Sequence, residues 1–102
     1  MSADGKDRHM TDDALAELLT LTQSVDPATR IIYYVNSADQ LHRGHGPAMI
    51  YPSGEQRWFY NGELHRVDGP AIEFANGYRM WALMGKTYSW EMWRLLVDAF
   101  NA

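Results

Sequence analysis

The sequence predicts a β-rich α+β fold, in which an antiparallel meander of stacked β-hairpins is flanked by an N-terminal and a C-terminal α-helix. Residues 41–63 are followed without a gap by a second copy at 64–86, and nine of the 23 positions are identical. Short units that recur at a fixed spacing usually share one core between neighbouring copies. On either side of the repeats, the apolar residues change to a helical spacing. The repeats and these two flanking segments together define the predicted architecture.

The N-terminal part is predicted to be a tail followed by one helix. Residues 1–10 are polar and lack any period, so we expect a mobile tail there. Thr11 can cap a helix over 12–23, because the first turn is acidic and leucines three and four residues apart form an apolar stripe. Asp26-Pro27 then ends this helix. We expect residues 11–102 to form a single domain.

From residue 30 to residue 88 the pattern is that of short strands separated by turns. The run Ile31–Val35 is rich in β-branched and aromatic residues and looks like a truncated repeat. In the full copies, Asn61-Gly62 predicts a type I′ hairpin, because both central residues of that turn must adopt positive φ. Connections this short can only join antiparallel neighbours. We therefore expect a meander of about six to eight strands.

The C-terminal segment 89–100 is predicted to be a second helix. Ser89 can cap it, and large apolar residues occupy most of its circumference. A helix of this kind is either deeply buried or contacts a partner. Trp90 is therefore a candidate contact residue, for another protein or for a second copy of this chain. We also expect the two flanking helices to cover the open edges of the sheet.

Composition and charge argue against several classes of protein. The formal charge is −4, but the excess of acidic residues lies in 1–26, and the rest of the chain is neutral. A neutral body argues against nucleic-acid binding, so Trp58 and Trp81 are better explained as shared core than as a platform for bases. The chain has no cysteine and no apolar run of about 20 residues. We expect a cytoplasmic protein that does not enter a membrane.

The pairs His42-Arg43 and His65-Arg66 recur in register and are the main candidates for ligand or partner binding. Two guanidinium groups on one edge could hold a phosphate or a carboxylate by paired hydrogen bonds. In the competing interpretation, each Arg or His bonds a turn carbonyl or Asp68 and fixes the loop before Gly-Pro. We favour this structural interpretation, because an arginine in a repeat must first satisfy the geometry of the repeat.

Metal binding and catalysis have little support in the sequence. The side chains of His42, His45, His65 and Asp68 are of the types that bind zinc, but a local hydrogen bond from each His to its loop explains the same pattern. The chain has no nucleophile elbow, no phosphate-binding loop and no zinc-protease helix. We therefore expect no metal, no cofactor and no enzymatic activity.

The order Trp-x-x-Asn-Gly-x-Leu-His-Arg-x-Asp-Gly-Pro-Ala at 58–71 resembles the variant MORN-like repeats of small bacterial and phage proteins. The resemblance covers about residues 30–88. The spacing also resembles the eukaryotic MORN repeat, whose unit is a stacked β-hairpin, but Arg43 and Arg66 stand where a MORN unit commonly has Gly after the His. The two copies also differ from each other, with Gly-His at 44–45 and Val-Asp at the equivalent positions. The resemblance implies a hairpin array with a role in scaffolding or protein contacts.

These observations together predict a non-enzymatic protein-binding module. The resemblance to phage-encoded proteins extends this expectation to an accessory protein that binds and inhibits a host defence or regulatory protein in the host cytoplasm. Two alternatives remain open. One is a binder of a small anionic ligand or nucleotide that uses the His-Arg pairs, and the other is a self-associating structural scaffold, such as a homodimer.

Overall fold

The structure is a computed structural model, and it describes residues 12–101. The tail predicted over 1–10 and the predicted helix cap Thr11 lie outside these residues. Within the described part, the chain forms two helices and nine short strands. In chain order these are α1 (Asp12–Thr20), β1 (Thr22–Val25), β2 (Ile32–Val35), β3 (Met49–Ile50), β4 (Gln56–Arg57), β5 (Phe59–Tyr60), β6 (Glu63–Leu64), β7 (Ile72–Glu73), β8 (Arg79–Leu83), β9 (Lys86–Tyr88) and α2 (Trp90–Phe100).

Seven strands form one sheet in the order β9-β8-β7-β4-β3-β2-β1, while β5 and β6 form a separate hairpin. The pairs within both sheets are antiparallel. Apart from the β5-β6 hairpin, strands that are neighbours in the sheet are also neighbours in the chain, which is the usual arrangement of an antiparallel meander. The predicted fold class is therefore confirmed: a β-rich antiparallel meander with a short N-terminal helix and a C-terminal helix.

The Leu-His-Arg segment of each repeat joins its own unit to the preceding one. The amide of His42 donates to the carbonyl oxygen of Tyr34 over 3.0 Å, and the amide of His65 donates to that of Trp58 over the same distance. The arginine that follows each His bonds through its amide to the next aromatic strand, β5 or β8. Neighbouring units thus share backbone hydrogen bonds, which is the nearest-neighbour coupling of a repeat array.

The hairpin turn predicted at Asn61-Gly62 has the expected conformation. The φ angles are 49° at Asn61 and 86° at Gly62, as a type I′ turn requires. The second copy has the same turn, with φ angles of 51° at Met84 and 85° at Gly85. Methionine is an unusual residue for a left-handed conformation, because its Cβ crowds the backbone there.

The core is thin and is built largely from small side chains. The Ala that follows Gly-Pro in each copy, Ala48 or Ala71, has no exposed surface, so a larger residue there would force the neighbouring strands to move. Trp58 and Trp81, which the sequence predicted to belong to a shared core, are half-buried. The buried apolar residues of the described part are Ala48, Ala71, Ile72, Ala82, Trp93 and Val97.

The first helix is shorter than predicted. It ends at Thr20, and Thr22–Val25 instead form strand β1, which pairs along its whole length with β2. The leucine pattern favoured helix through residue 23, but pairing with the exposed edge of β2 outweighs that local preference. At the other end, the helix predicted over 89–100 spans Trp90–Phe100, and Ser89 is its N-cap, with its side chain accepting from the Met92 amide.

Candidate functional site

The histidine of each repeat fixes the hairpin turn near the end of that repeat. His42 Nδ1 accepts the amide proton of Asn61 over 2.8 Å, and His65 Nδ1 accepts that of Met84 over 2.9 Å. Both acceptors serve the first left-handed residue of a type I′ turn. A ring that accepts at Nδ1 carries its proton at Nε2 when neutral, so each His presents an N–H donor on its far side.

The arginine of each repeat stacks on an aromatic ring and bonds a turn carbonyl. The guanidinium carbon of Arg43 lies 4.0 Å from the ring centroid of Tyr34, and that of Arg66 lies 3.8 Å from the ring centroid of Trp58. Their Nη1 atoms donate to the carbonyl oxygens of Pro47 and Pro70, over 3.2 Å and 3.0 Å. The arginines therefore hold the loop before each Gly-Pro in place, as the structural interpretation of the sequence proposed.

The two arginines differ in how their charge is balanced. Arg66 pairs with Asp68 over 2.8 Å and with Glu73 over 3.4 Å. Among the side chains that the structure describes, Arg43 has no ion-pair partner, and its polar side-chain contact is the Pro47 carbonyl. Arg66 is thus neutralised by neighbouring carboxylates, whereas the described contacts of Arg43 include no carboxylate.

A cleft of about 590 Å³ separates the two His-Arg loops. Its lining includes Arg43 and His45 from the first loop and Arg66 and Asp68 from the second. Arg43, His65 and Arg66 are three of the predicted site residues, and the structure brings them together here. His42 is only 5% exposed and lies outside the lining, and Trp90 belongs to α2.

The structure adds one residue that the sequence did not single out, Glu17 of α1. Its Oε1 lies 3.0 Å from His42 Nε2, and its Oε2 accepts the amide proton of Gly44 over 2.7 Å. Partial burial by itself would raise the pKa of Glu17, but the hydrogen bonds from His42 and Gly44, with attraction to His42 and His45, outweigh burial and lower it. This carboxylate joins α1 to the loop at 42–45.

The sequence contained a signal for this contact. A Cβ atom built on Gly44 would lie 2.3 Å from Glu17 Oε2, so glycine is what admits the carboxylate. The second repeat has Val67 at the equivalent position. The Gly-to-Val difference between otherwise similar copies was visible in the sequence, but the acidic partner 27 residues away was not.

No three side chains of the types that bind metals come together within residues 12–101. The candidate set His42, His45, His65 and Asp68 is divided between different contacts. His42 and His65 bond turn amides through Nδ1, and Asp68 bonds Arg66.

Helix α2 ends the repeat array by taking the place of the next arginine. A third Leu-His-Arg would put its arginine at position 89, but Ser89 stands there and caps α2 instead. Trp93 then packs on Trp81, with ring centroids 4.7 Å apart, and its Nε1 donates to the Arg66 carbonyl over 2.9 Å. An indole thus covers the last aromatic ring, much as Arg66 covers Trp58.

Most of the apolar surface of α2 remains exposed. Trp93 and Val97 are its buried residues. Beside them lies a groove of about 400 Å³ between α2 and the β8-β9 hairpin, lined mainly by apolar side chains, with His65 and Lys86 among its residues. The exposed apolar residues of α2 are Trp90, Met92, Leu95, Leu96 and Phe100, and Phe100 is the most open of these at 81%.

The comparisons with known proteins do not assign this fold to a family. No family model matches the chain, and neither the curated proteins nor the solved structures contain a significant match. The resemblance to MORN-like repeats therefore stays a prediction from the sequence. In the described part of the chain, neither helix has both the length and the apolar character needed to cross a bilayer.

Proposed function

We propose that this protein is a non-enzymatic protein-binding module and that α2 with its adjoining groove is the contact surface. The observation that carries the proposal is the apolar face of α2. Five large apolar side chains of one 11-residue helix are exposed beside a groove that is itself apolar. Leu96 and Phe100 line this groove, and so many large exposed apolar side chains on one short helix are typical of protein interfaces and uncommon on surfaces that contact only water.

The conformation of Met84 supports the same surface. Met84 lines the groove and is 70% exposed, and it occupies a left-handed position where the first repeat has Asn61. Neither burial nor backbone preference explains a methionine there. A flexible apolar side chain held at the rim of a groove is well suited to contact a partner, because methionine adapts to irregular surfaces.

The chemistry of the groove indicates the kind of partner. Its floor is apolar, from Leu83, Val97 and their neighbours, while Lys86 and His65 supply basic groups. An amphipathic segment with apolar anchors and an acidic flank would match both features. The finer proposal, a phage or prophage accessory protein that inhibits a host defence or regulatory protein, rests on the sequence resemblance to MORN-like proteins.

Affinity capture with matched variants tests this proposal. The intact protein, Leu95→Glu and Leu19→Glu are each immobilised and exposed to the same bacterial lysate, and retained proteins are identified by mass spectrometry. Leu95 and Leu19 are exposed helical leucines, at 62% and 77%, so both substitutions should leave the fold intact. We expect one abundant protein to be retained by the intact chain and by Leu19→Glu, and to be lost from Leu95→Glu.

Other outcomes decide between the alternatives. Equal retention by all three proteins would place the contact surface away from α2 and would contradict the proposal. An empty capture, together with a dimer by light scattering that Leu95→Glu dissociates, would favour the self-associating scaffold. A chain that stays monomeric and retains nothing leaves the protein-binding proposal without support.

A second candidate function is binding of a small anion in the cleft between the His-Arg loops. Arg43 favours it, because this guanidinium has no carboxylate partner within the described residues and His45 lies beside it. The internal contacts of Arg66 and the carboxylate of Asp68 in the same lining weigh against it. Titration with inorganic phosphate and with adenosine monophosphate, followed by NMR, should show saturable shifts at residues 43–46. Linear, non-saturable shifts would eliminate this candidate.

A further inference from the structure

Glu17 of α1 occupies a small binding site on the first repeat. Each of its carboxylate oxygens has one donor, since Oε1 lies 3.0 Å from His42 Nε2 and Oε2 lies 2.7 Å from the Gly44 amide nitrogen. One side-chain donor and one backbone donor, each placed for a different oxygen, form the arrangement that proteins use to recognise a carboxylate. His45 adds positive charge nearby when it is protonated.

The donors of this site are fixed by the repeat and do not depend on α1. His42 is 5% exposed, and its Nδ1 is bonded to the Asn61 amide, so the orientation of the ring is set by the hairpin turn. Tyr60 packs against the same ring, with centroids 4.5 Å apart. The Nε2 donor is therefore already oriented before any carboxylate arrives, which lowers the cost of binding one.

The second repeat shows how specific the site is. His65 is fixed by its turn in the same way, but Val67 replaces Gly44. Any Cβ at position 44 would lie 2.3 Å from the carboxylate oxygen. Two copies with the same histidine thus differ in whether a carboxylate can reach the loop amide, and only the first copy has the glycine.

The hold on α1 from its exposed leucines is weak. Leu15 is 47% exposed and Leu19 is 77% exposed, so they contribute little burial against the sheet. A single residue, Leu21, connects α1 to β1. Replacement of Glu17 by an external carboxylate would therefore cost little of the burial of these two leucines.

The geometry points to a carboxylate-binding site at His42 and Gly44, with α1 as its built-in occupant and a helix-borne glutamate of a partner protein as the ligand that competes with it. The bound example within the chain defines the ligand: a glutamate on a helix, with its carboxylate facing the 42–45 loop. This site lies on the first repeat and is separate from the α2 surface, so the inference does not depend on the proposed function.

The test uses the full-length protein with the Glu17 carboxylate removed, so that the site is open to an added ligand. Glu17→Ala is titrated with a blocked peptide of residues 12–21, and the Gly44 amide is followed by NMR. We expect a saturable shift of that amide, with affinity about 10- to 100-fold weaker for the same peptide carrying Gln in place of Glu17, since a charged hydrogen bond is lost. The unsubstituted protein should need more peptide for the same shift, because its own Glu17 competes.

The control is the double variant Glu17→Ala/Gly44→Val. Valine is the residue that the second repeat already holds at this position, and Gly44 does not have a positive φ, so the loop should keep its conformation. We expect this variant to fold with an unchanged amide spectrum elsewhere and to lose the peptide response. Absence of a Gly44 shift in Glu17→Ala at millimolar peptide would overturn the inference, as would equal responses to the Glu and Gln peptides.

Discussion

The two histidines share one contact and differ in the other. Both accept a turn amide at Nδ1, but only His42 also bonds a carboxylate at Nε2 within residues 12–101. His42 is also buried, whereas His65 is half-exposed. The same residue thus makes more contacts in the first repeat than in the second, and we expect His42 to contribute more than His65 to the free energy of unfolding.

Substitutions at the two histidines should separate these contributions. His42→Ala leaves the Asn61 amide without an acceptor in a partly buried place and removes a buried ring, so we expect a loss of about 2–4 kcal/mol. His65→Ala should cost about 1 kcal/mol, because water can reach its turn amide. His42→Asn should recover part of the loss, since its Oδ1 can replace Nδ1 as acceptor. Urea unfolding of all three variants measures this, and equal losses for the two alanine variants would contradict it.

Met84 should be a site of improvable stability. Asparagine adopts the left-handed conformation more readily than methionine does, and the first repeat already has Asn61 there. We expect Met84→Asn to stabilise the protein by about 0.5–1 kcal/mol in thermal or urea unfolding. Thr87→Asn is the control, because Thr87 lies in neighbouring strand β9 without a positive φ, and it should give no gain. A loss of stability in Met84→Asn would show that Met84 packs more tightly than its 70% exposure indicates.

At this scale the sequence predicted the kind of contact better than the partner. The exact recurrence of His-Arg indicated that these side chains hold the loop before Gly-Pro, and both arginines do bond the Pro carbonyl. The stacking of Arg66 on Trp58 and the contact of Glu17 with His42 were not foreseen. Trp58 belongs to the repeat before that of Arg66, and Glu17 belongs to α1. The way in which neighbouring units pair is set by the register of the sheet, which the sequence of one repeat does not specify.

Among the secondary-structure elements, α1 should respond to acid through Glu17. The folded-state pKa of this carboxyl is below its usual 4.5, so the folded protein binds fewer protons than the unfolded chain in that region. The stabilisation from the contact is complete above pH 4.5 and is lost as the pH falls through the lowered value. We expect the Gly44 amide resonance to move with this transition.

Glu17→Gln is the matched variant for this titration, since the amide keeps an acceptor oxygen but has no proton to gain. Its Gly44 resonance should stay flat over the same range below pH 4.5. A transition of equal size in Glu17→Gln would mean that another group is responsible.

The elements were predicted with unequal success, for physical reasons. Ser89 and the apolar spacing after it indicated α2, and its first helical residue is Trp90. Strand β1 was missed, because Thr22–Val25 has few apolar residues and is exposed along its whole length. This strand forms because its backbone pairs with the edge of β2, and the sequence of the strand itself has no periodicity that would predict such pairing.

At the scale of the whole molecule, the two ends of the sheet are finished differently. At one end, α2 contacts both β8 and β9. At the other end, β1 is the terminal strand and its four residues are exposed, so the helical cover expected there is absent within residues 12–101. Instead α1 meets the 42–45 loop through Glu17. Among the described side chains, most of the buried apolar ones lie towards the α2 end, including Ile72, Ala82 and Trp93.

This asymmetry predicts a gradient of local stability along the array. In a repeat array each unit is stabilised mainly by its neighbours, so the unit with an uncovered edge opens most easily. We expect amide protons to exchange slowest in β7 and β8 and fastest in β1, with at least a tenfold difference in protection factor. Native-state hydrogen exchange followed by NMR measures this. Uniform protection from β1 to β9 would indicate a single cooperative unit.

The pairing of Trp81 with Trp93 also gives the protein an optical signal of its own. The two indole rings have centroids 4.7 Å apart and planes inclined by 49°, so we expect their excited states to couple and to give adjacent circular-dichroism bands of opposite sign. One ring belongs to the last full repeat and the other to α2, so the couplet exists only while the helix is docked. The docking of α2 on the last repeat can therefore be followed by circular dichroism in the unlabelled protein.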